Sequence, residues 1–166
     1  MKPSGVFLGN ITLFFILFLF SSCSKEKKLI KDLEKGKWIL ESVFIRDICS
    51  GTTGELTETS NSGSLEFRDF NKTTEEGTGH FNLPVYPKCY SIGGYPKIQV
   101  GTDCYYSVIY GNVVQQIDIW TDPADRWGTV VFYTIREYTK NKKLVISSFE
   151  GDDYYGIYTE YSLKKE

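Results

Sequence analysis

Residues 129–149 read TVVFYTIREYTKNKKLVISSF. Apolar and polar side chains alternate through both arms, the two-residue period of a half-buried strand. β-Branched and aromatic residues dominate the arms, as pleated surfaces favour. Between them Thr139-Lys140-Asn141-Lys142 is a polar turn. The stretch predicts a hairpin, with strands over 129–138 and 143–149.

The same pattern recurs on both sides of it. The run Trp38 to Arg46 alternates as a first strand behind Gly36-Lys37. Asp47 to Asn61 is rich in Gly, Thr and Ser and predicts a loop. Strands are expected over 64–70, ended by the turn Asn71-Lys72, and over 77–83, where Gly77 and Gly79 mark a bend or a close approach of backbones. Pro84 to Gly101 carries Pro84, Pro87, Gly93, Gly94 and Pro96, a connection of about eighteen residues, and loops of that length are usually functional. Further strands are expected over 104–110, 113–121 and 155–163, with the tight turn Gly111-Asn112 and a loop over 122–128 opened by Asp122-Pro123. Eight strands without a long helix between any two exclude a parallel α/β sheet. The fold class is therefore all-β, and an eight-stranded antiparallel up-and-down barrel is the simplest arrangement that leaves no edge exposed.

Ahead of the strands stands a different kind of segment. Lys2 is followed by an apolar stretch from Val6 to Phe20, interrupted by Asn10 and closing on Ser21-Ser22-Cys23. It is shorter than the roughly 20 apolar residues a membrane-crossing helix needs. The charged start, apolar centre and small residues before a cysteine predict a secretory signal over residues 1–22 ending in a lipidation site. The segment resembles the lipobox of bacterial lipoproteins, which implies acylation, palmitate included, at Cys23. No aspartate follows the cysteine, and by the same resemblance that points to the outer membrane of the cell envelope. Residues 23–35 are then a lipid-anchored tether becoming a short helix, with Leu29, Ile30 and Leu33 at helical spacing and Gly36 as the stop.

Composition narrows the remaining domain, residues 36–166. Taking the first 22 residues from 166 leaves 144, a length that suits one core. The signal holds one charge, Lys2, so 18 of the 19 basic side chains remain with all 21 acidic ones, a formal charge of −3. That balance gives no electrostatic footprint for nucleic acid. One His and one Met argue against a metal or redox centre built on those residues, and no cofactor is expected. Twelve Tyr and three Trp in the domain favour strands.

Gly36-Lys37-Trp38 behind a short helix, followed by eight antiparallel strands, looks like the lipocalin and lipocalin-like lipoproteins of Gram-negative bacteria. The arms Tyr133-Thr134-Ile135-Arg136-Glu137-Tyr138 and Lys143-Leu144-Val145-Ile146 are similar to the late strands of that family. The resemblance implies a monomeric barrel that binds a small apolar molecule.

In such a meander successive connections alternate between the two ends. The connections expected at 47–61, 84–101, 122–128 and 150–154 share one end and are long. Those at 71–76, 111–112 and 139–142 share the other and are short, and Trp38 near them is expected to act as a plug. Tyr86, Tyr90, Tyr95, Tyr106, Trp120, Trp127, Tyr154 and Tyr155 map to the long-loop end, where amphipathic rings suit a partly wet mouth. Tyr86, Tyr90, Tyr106, Trp120 and Trp127, with Tyr133 on the wall, are the candidate ligand-binding residues.

Cys49, Cys89 and Cys104 fall at the same end. In an oxidising envelope one bridge is expected. Cys89 to Cys104 would close a loop of about fifteen residues and contribute about 3 kcal/mol by chain entropy. Cys49 with either partner is the rival pairing. Three thiols without a C-x-x-C spacing do not predict a metal site.

His80 is the natural proton carrier, but a single His in an alternating strand reads as a wall residue. Asp122, Asp125, Asp152 and Asp153 lie in two mouth loops and could bind Ca²⁺ or pair as carboxylates, although turn chemistry accounts for each. No catalytic residue is assigned and no enzyme is expected. The expected function is a lipid-anchored envelope protein binding a small hydrophobic or amphipathic ligand at the long-loop end. The alternative is a cell-surface interaction module that recognises a protein or glycan through Tyr- and Trp-rich loops.

Overall fold

The computed structural model describes residues 25, 27–49, 52–59, 63–84, 101–110, 115–151 and 156–166. Nine strands follow in chain order: β1 (Lys37–Cys49), β2 (Thr52–Thr59), β3 (Ser64–Asn71), β4 (Glu76–Asn82), β5 (Thr102–Tyr110), β6 (Gln115–Trp120), β7 (Val131–Thr139), β8 (Lys143–Gly151) and β9 (Gly156–Lys165). Residues 27–33 form a helix, α1, and one turn, α2 (Arg126–Thr129), precedes β7. Every neighbouring pair is antiparallel, and β1 pairs with β9 from Trp38↔Lys165 to Ile48↔Gly156, which closes the sheet on itself.

The barrel has eight lanes because β2 and β3 share one. Both run antiparallel to β1, with Ser42 opposite Thr59 and Ile39 opposite Ser64. Over that interval β1 advances three residues and its partner five, so the lane carries two extra residues around Gly63. Gly63 occupies the break because a Cβ there would lie 3.0 Å from both the Asn82 carbonyl and the Leu40 side chain, while its own carbonyl accepts from Leu40 N–H at 2.9 Å.

This overturns the expected loop over Asp47 to Asn61. β1 continues to Cys49, and β2 returns along it through Cys49↔Thr52. Ladder hydrogen bonds to an existing strand outweigh the weak strand propensity of a Gly- and Thr-rich segment.

Eight strands enclose a space that side chains just fill. Trp38, Leu40, Phe67, Phe81, Ile117, Ile119, Tyr133 and Ile146 all belong to one buried apolar cluster, together with Val43, Leu65, Tyr106, Leu144, Tyr161 and Leu163. Gly77 and Gly79 make room in it. The Tyr106 ring lies across Gly77, where a Cβ would fall 2.7 Å from the Tyr106 hydroxyl and closer still to the ring. At Gly79 a Cβ would overlap the Glu66 carbonyl. The two glycines thus mark a close approach, in one case of an aromatic ring and in the other of a neighbouring strand.

Helix α1 lies across the end that holds the short connections. Its Leu29, Ile30 and Leu33 are buried, and Trp38 Nε1–H donates to the Leu33 carbonyl at 3.2 Å. Asp32, only 2% exposed, accepts from the Tyr138 hydroxyl and from Asn141 N–H at 3.0 Å. Lys165 reaches the Asp32 carbonyl, stands 3.9 Å from its carboxylate and lies 4.6 Å over the Trp38 ring. Glu34 accepts from Phe70 N–H at 2.6 Å and from the Tyr106 hydroxyl at 3.4 Å. Two carboxylates therefore bolt the helix to β3, β5, β9 and the β7–β8 turn, and Trp38 plugs this end.

Candidate functional site

The residues singled out from the sequence divide into three groups. Cys23, Tyr86, Tyr90, Cys89, Tyr95, Asp152, Asp153, Tyr154 and Tyr155 lie outside the described residues. Tyr106 and Tyr133 point into the barrel, and Trp120 and Trp127 stand outside it.

Tyr106 is fully buried but sits toward α1 rather than at the long-loop end. Its ring packs edge-on against Phe67 at 5.0 Å and its hydroxyl faces Glu34. Burial and the Glu34 carboxylate hold its phenol protonated well above the usual range. Strand tilt explains the displacement: Tyr106 is opposite Ile119 on one side but opposite Gly77, the second residue of β4, on the other. Tyr133 packs against Phe81 at 5.4 Å and Tyr161 at 6.2 Å, and the Tyr161 hydroxyl donates to the Pro84 carbonyl at 3.0 Å. Both tyrosines are core.

Cys104 is a free thiol on the inner face, 6% exposed beside Gly79. The expected Cys89–Cys104 bridge is thus absent, because β5 turns residue 104 into the core with Tyr106 and Val108. Burial, with a smaller contribution from Asp103, pushes the thiol up to about 12.

On the outer wall the connection between β6 and β7 folds back and lays Arg126 on the sheet. Its guanidinium lies 4.2 Å over Trp120 and 5.7 Å from Trp127. It donates to Glu76 at 3.1 Å and to the Ser107 hydroxyl at 3.0 Å, and stands 3.7 Å from the buried Asp118 carboxylate. Trp120 alternates with the inward Ile119, so it faces outward and is buried under this arm, stacked on Tyr105 at 6.2 Å. Arg126 escaped the sequence reading because a loop Arg has no period to reveal it.

Beside this arm runs a row of exposed apolar side chains. Trp127 is 77% exposed, Phe149 54% and Phe132 44%. Phe132 is opposite Asp118, Phe149 is opposite Tyr158, and Tyr158 is opposite Arg46. Phe132 and Phe149 lie two residues beyond the Thr134↔Ser147 pair on adjoining strands. Arg46 lies 5.6 Å over Phe44 and Arg136 5.8 Å over Tyr158, so three guanidiniums overlie the rings of this wall.

The remaining candidates have local explanations. His80 Nδ1 is 2.9 Å from Asp103 on the outer wall, opposite Glu66. Asp122 accepts from Ala124 N–H at 2.8 Å, and Asp125 caps α2 by accepting from Gly128 N–H at 3.0 Å. Among the described residues no group of three His, Cys, Asp or Glu side chains is placed to hold a metal. No protein family, curated protein or solved structure matches this chain.

Proposed function

We propose that this protein is a non-catalytic interaction module of the cell envelope, held to its membrane through Cys23, which engages a protein partner through the aromatic wall beside the long-loop end. The observation that carries this reading is the contrast between the two sides of the sheet. The inside is filled by one apolar cluster, while Trp127, Phe132 and Phe149 are held in water on the outside with arginines across neighbouring rings. Exposed aromatic and Arg side chains are what protein interfaces enrich, and they carry most of the energy there. The guanidiniums favour a partner that presents carboxylates around an apolar centre.

A second reading keeps a small amphipathic ligand at the same end. Two inward positions that face each other across β8 and β9, Ser148 and Thr159, carry short side chains beside Tyr133. A ligand would then sit at the rim rather than deep in the barrel.

Crosslinking in intact cells, followed by purification, separates the two. The interaction reading expects one stoichiometric protein partner, lost in the Trp127→Ala, Phe149→Ala double variant and kept in Tyr133→Phe. A solvent-extractable ligand retained by that double variant, with no partner recovered, would replace it with the second reading.

A further inference from the structure

The described lysines are not scattered. All twelve lie at the end covered by α1: Lys25, Lys27, Lys28, Lys31 and Lys35 in and beside the helix, Lys37 at the start of β1, Lys72 in the β3–β4 turn, Lys140, Lys142 and Lys143 at the β7–β8 turn, and Lys164 and Lys165 at the end of β9. The opposite end carries Asp103, Asp122 and Asp125 instead, all exposed.

Few of the lysines are neutralised. Lys37, Lys143, Lys164 and Lys165 pair with Glu66, Glu137, Glu41 and Asp32. The other eight have no carboxylate partner among the described residues. The carboxylates of this end are mostly committed elsewhere: Asp32 and Glu34 bolt the helix, Glu76 holds Arg126, and Glu66 also takes Arg68. Asp69, Glu75 and Glu166 remain exposed against eight free ammonium groups. On a chain whose formal charge is −2, this is a strongly polarised surface.

We propose that the α1-covered end seats the barrel on an anionic phospholipid bilayer, with the aromatic wall and long loops turned to the far side. Two observations select a bilayer over other polyanions. The lysines are spread over the helix, the β3–β4 and β7–β8 turns and the final strand, so they border one whole end of the barrel rather than a groove, and an end meets a plane. The chain also leaves the barrel from this end, because α1 follows directly on the segment carrying the apolar run and Cys23. Attraction of lysines to anionic headgroups fades within a Debye length, so it counts only for charges held against the surface together. A lipid chain and a basic patch are also the two signals that together give lasting attachment. The inference does not depend on what the aromatic wall binds.

The test uses residues 23–166 with Cys23→Ser, so that neither acyl chains nor the apolar run contributes; every described residue is retained. Sedimentation with phosphatidylcholine vesicles containing roughly 30% phosphatidylglycerol should carry the protein down at about 50 mM salt and release it at about 500 mM. Pure phosphatidylcholine should not bind it. Lys28→Gln, Lys31→Gln, Lys140→Gln and Lys142→Gln together should weaken binding by at least about tenfold, and the four matching Lys→Arg changes should preserve it. All four side chains are exposed, and an unchanged melting temperature verifies the fold. Equal binding to both vesicles, no effect of the four Gln changes, or binding to heparin without binding to vesicles would overturn the proposal.

Discussion

At the helix-covered end, two carboxylates are buried against named donors, Trp38 is sealed in, and eight lysines face solvent without a partner among the described residues. On the wall beside the other end the arrangement is reversed: Trp127, Phe132 and Phe149 are exposed, and the cation Arg126 is half-buried among Trp120, Ser107 and Asp118. Where a polar group is buried it is bonded, and its removal disturbs the fold. Where an apolar group is exposed, its removal leaves the fold intact and disturbs only what it touches in a partner. Substitutions at one end should therefore read out as stability, and at the other as binding.

The largest effect is expected for Trp38→Ala, which empties the plug and should cost about 4 kcal/mol in denaturant unfolding. Asp32→Ala leaves Lys165 buried without its counter-charge and strips two donors of their acceptor, which should cost about 3 kcal/mol. Gly77→Ala drives a methyl into the Tyr106 ring and should cost about 2 kcal/mol; combining it with Tyr106→Leu should recover part of that loss.

Cys104 gives a pH test. Its thiol in the folded barrel is raised to about 12 from an ordinary value of 9.0, so above pH 9 the unfolded chain sheds a proton that the folded chain keeps. The raised value makes this contribution complete below pH 9 and lost as pH climbs toward 12. Unfolding free energy should fall across that window, less steeply in Cys104→Ala, and iodoacetamide should leave Cys104 unmodified at pH 8 until the barrel unfolds. Trp127→Ala should change stability by less than about 0.5 kcal/mol while reducing partner capture. A large stability loss from Trp127→Ala, or none from Asp32→Ala, would erase the contrast between the two ends.

Much of the barrel was readable from alternation. Seven of the eight lanes stand where the two-residue period placed them, because each buries one face and exposes the other. The missing half-lane, β2, has no such period: Thr52 to Thr59 is polar almost throughout, and its pairing with β1 is a tertiary event. The height of Tyr106 was hidden for a related reason. Alternation gives the face a side chain takes, but not how far a tilted strand carries it along the axis. Parity alone did place Trp120 outside, since Ile117 and Ile119 are inside, although what covers it is a loop arginine fifty residues from its glutamate partner. The segregation of lysines becomes visible only once the turns have been assigned to ends.

The seam between β1 and β9 has a consequence for the life of the chain. Trp38 cannot meet Lys165 until everything between them has been made and delivered. A polypeptide threaded amino-end first through a translocation channel would meanwhile present β1 as an unmatched hydrogen-bonding edge, the kind of surface on which neighbouring chains stick. Escort by a holding factor during transit, followed by slow annealing of this one joint, is what such a topology demands.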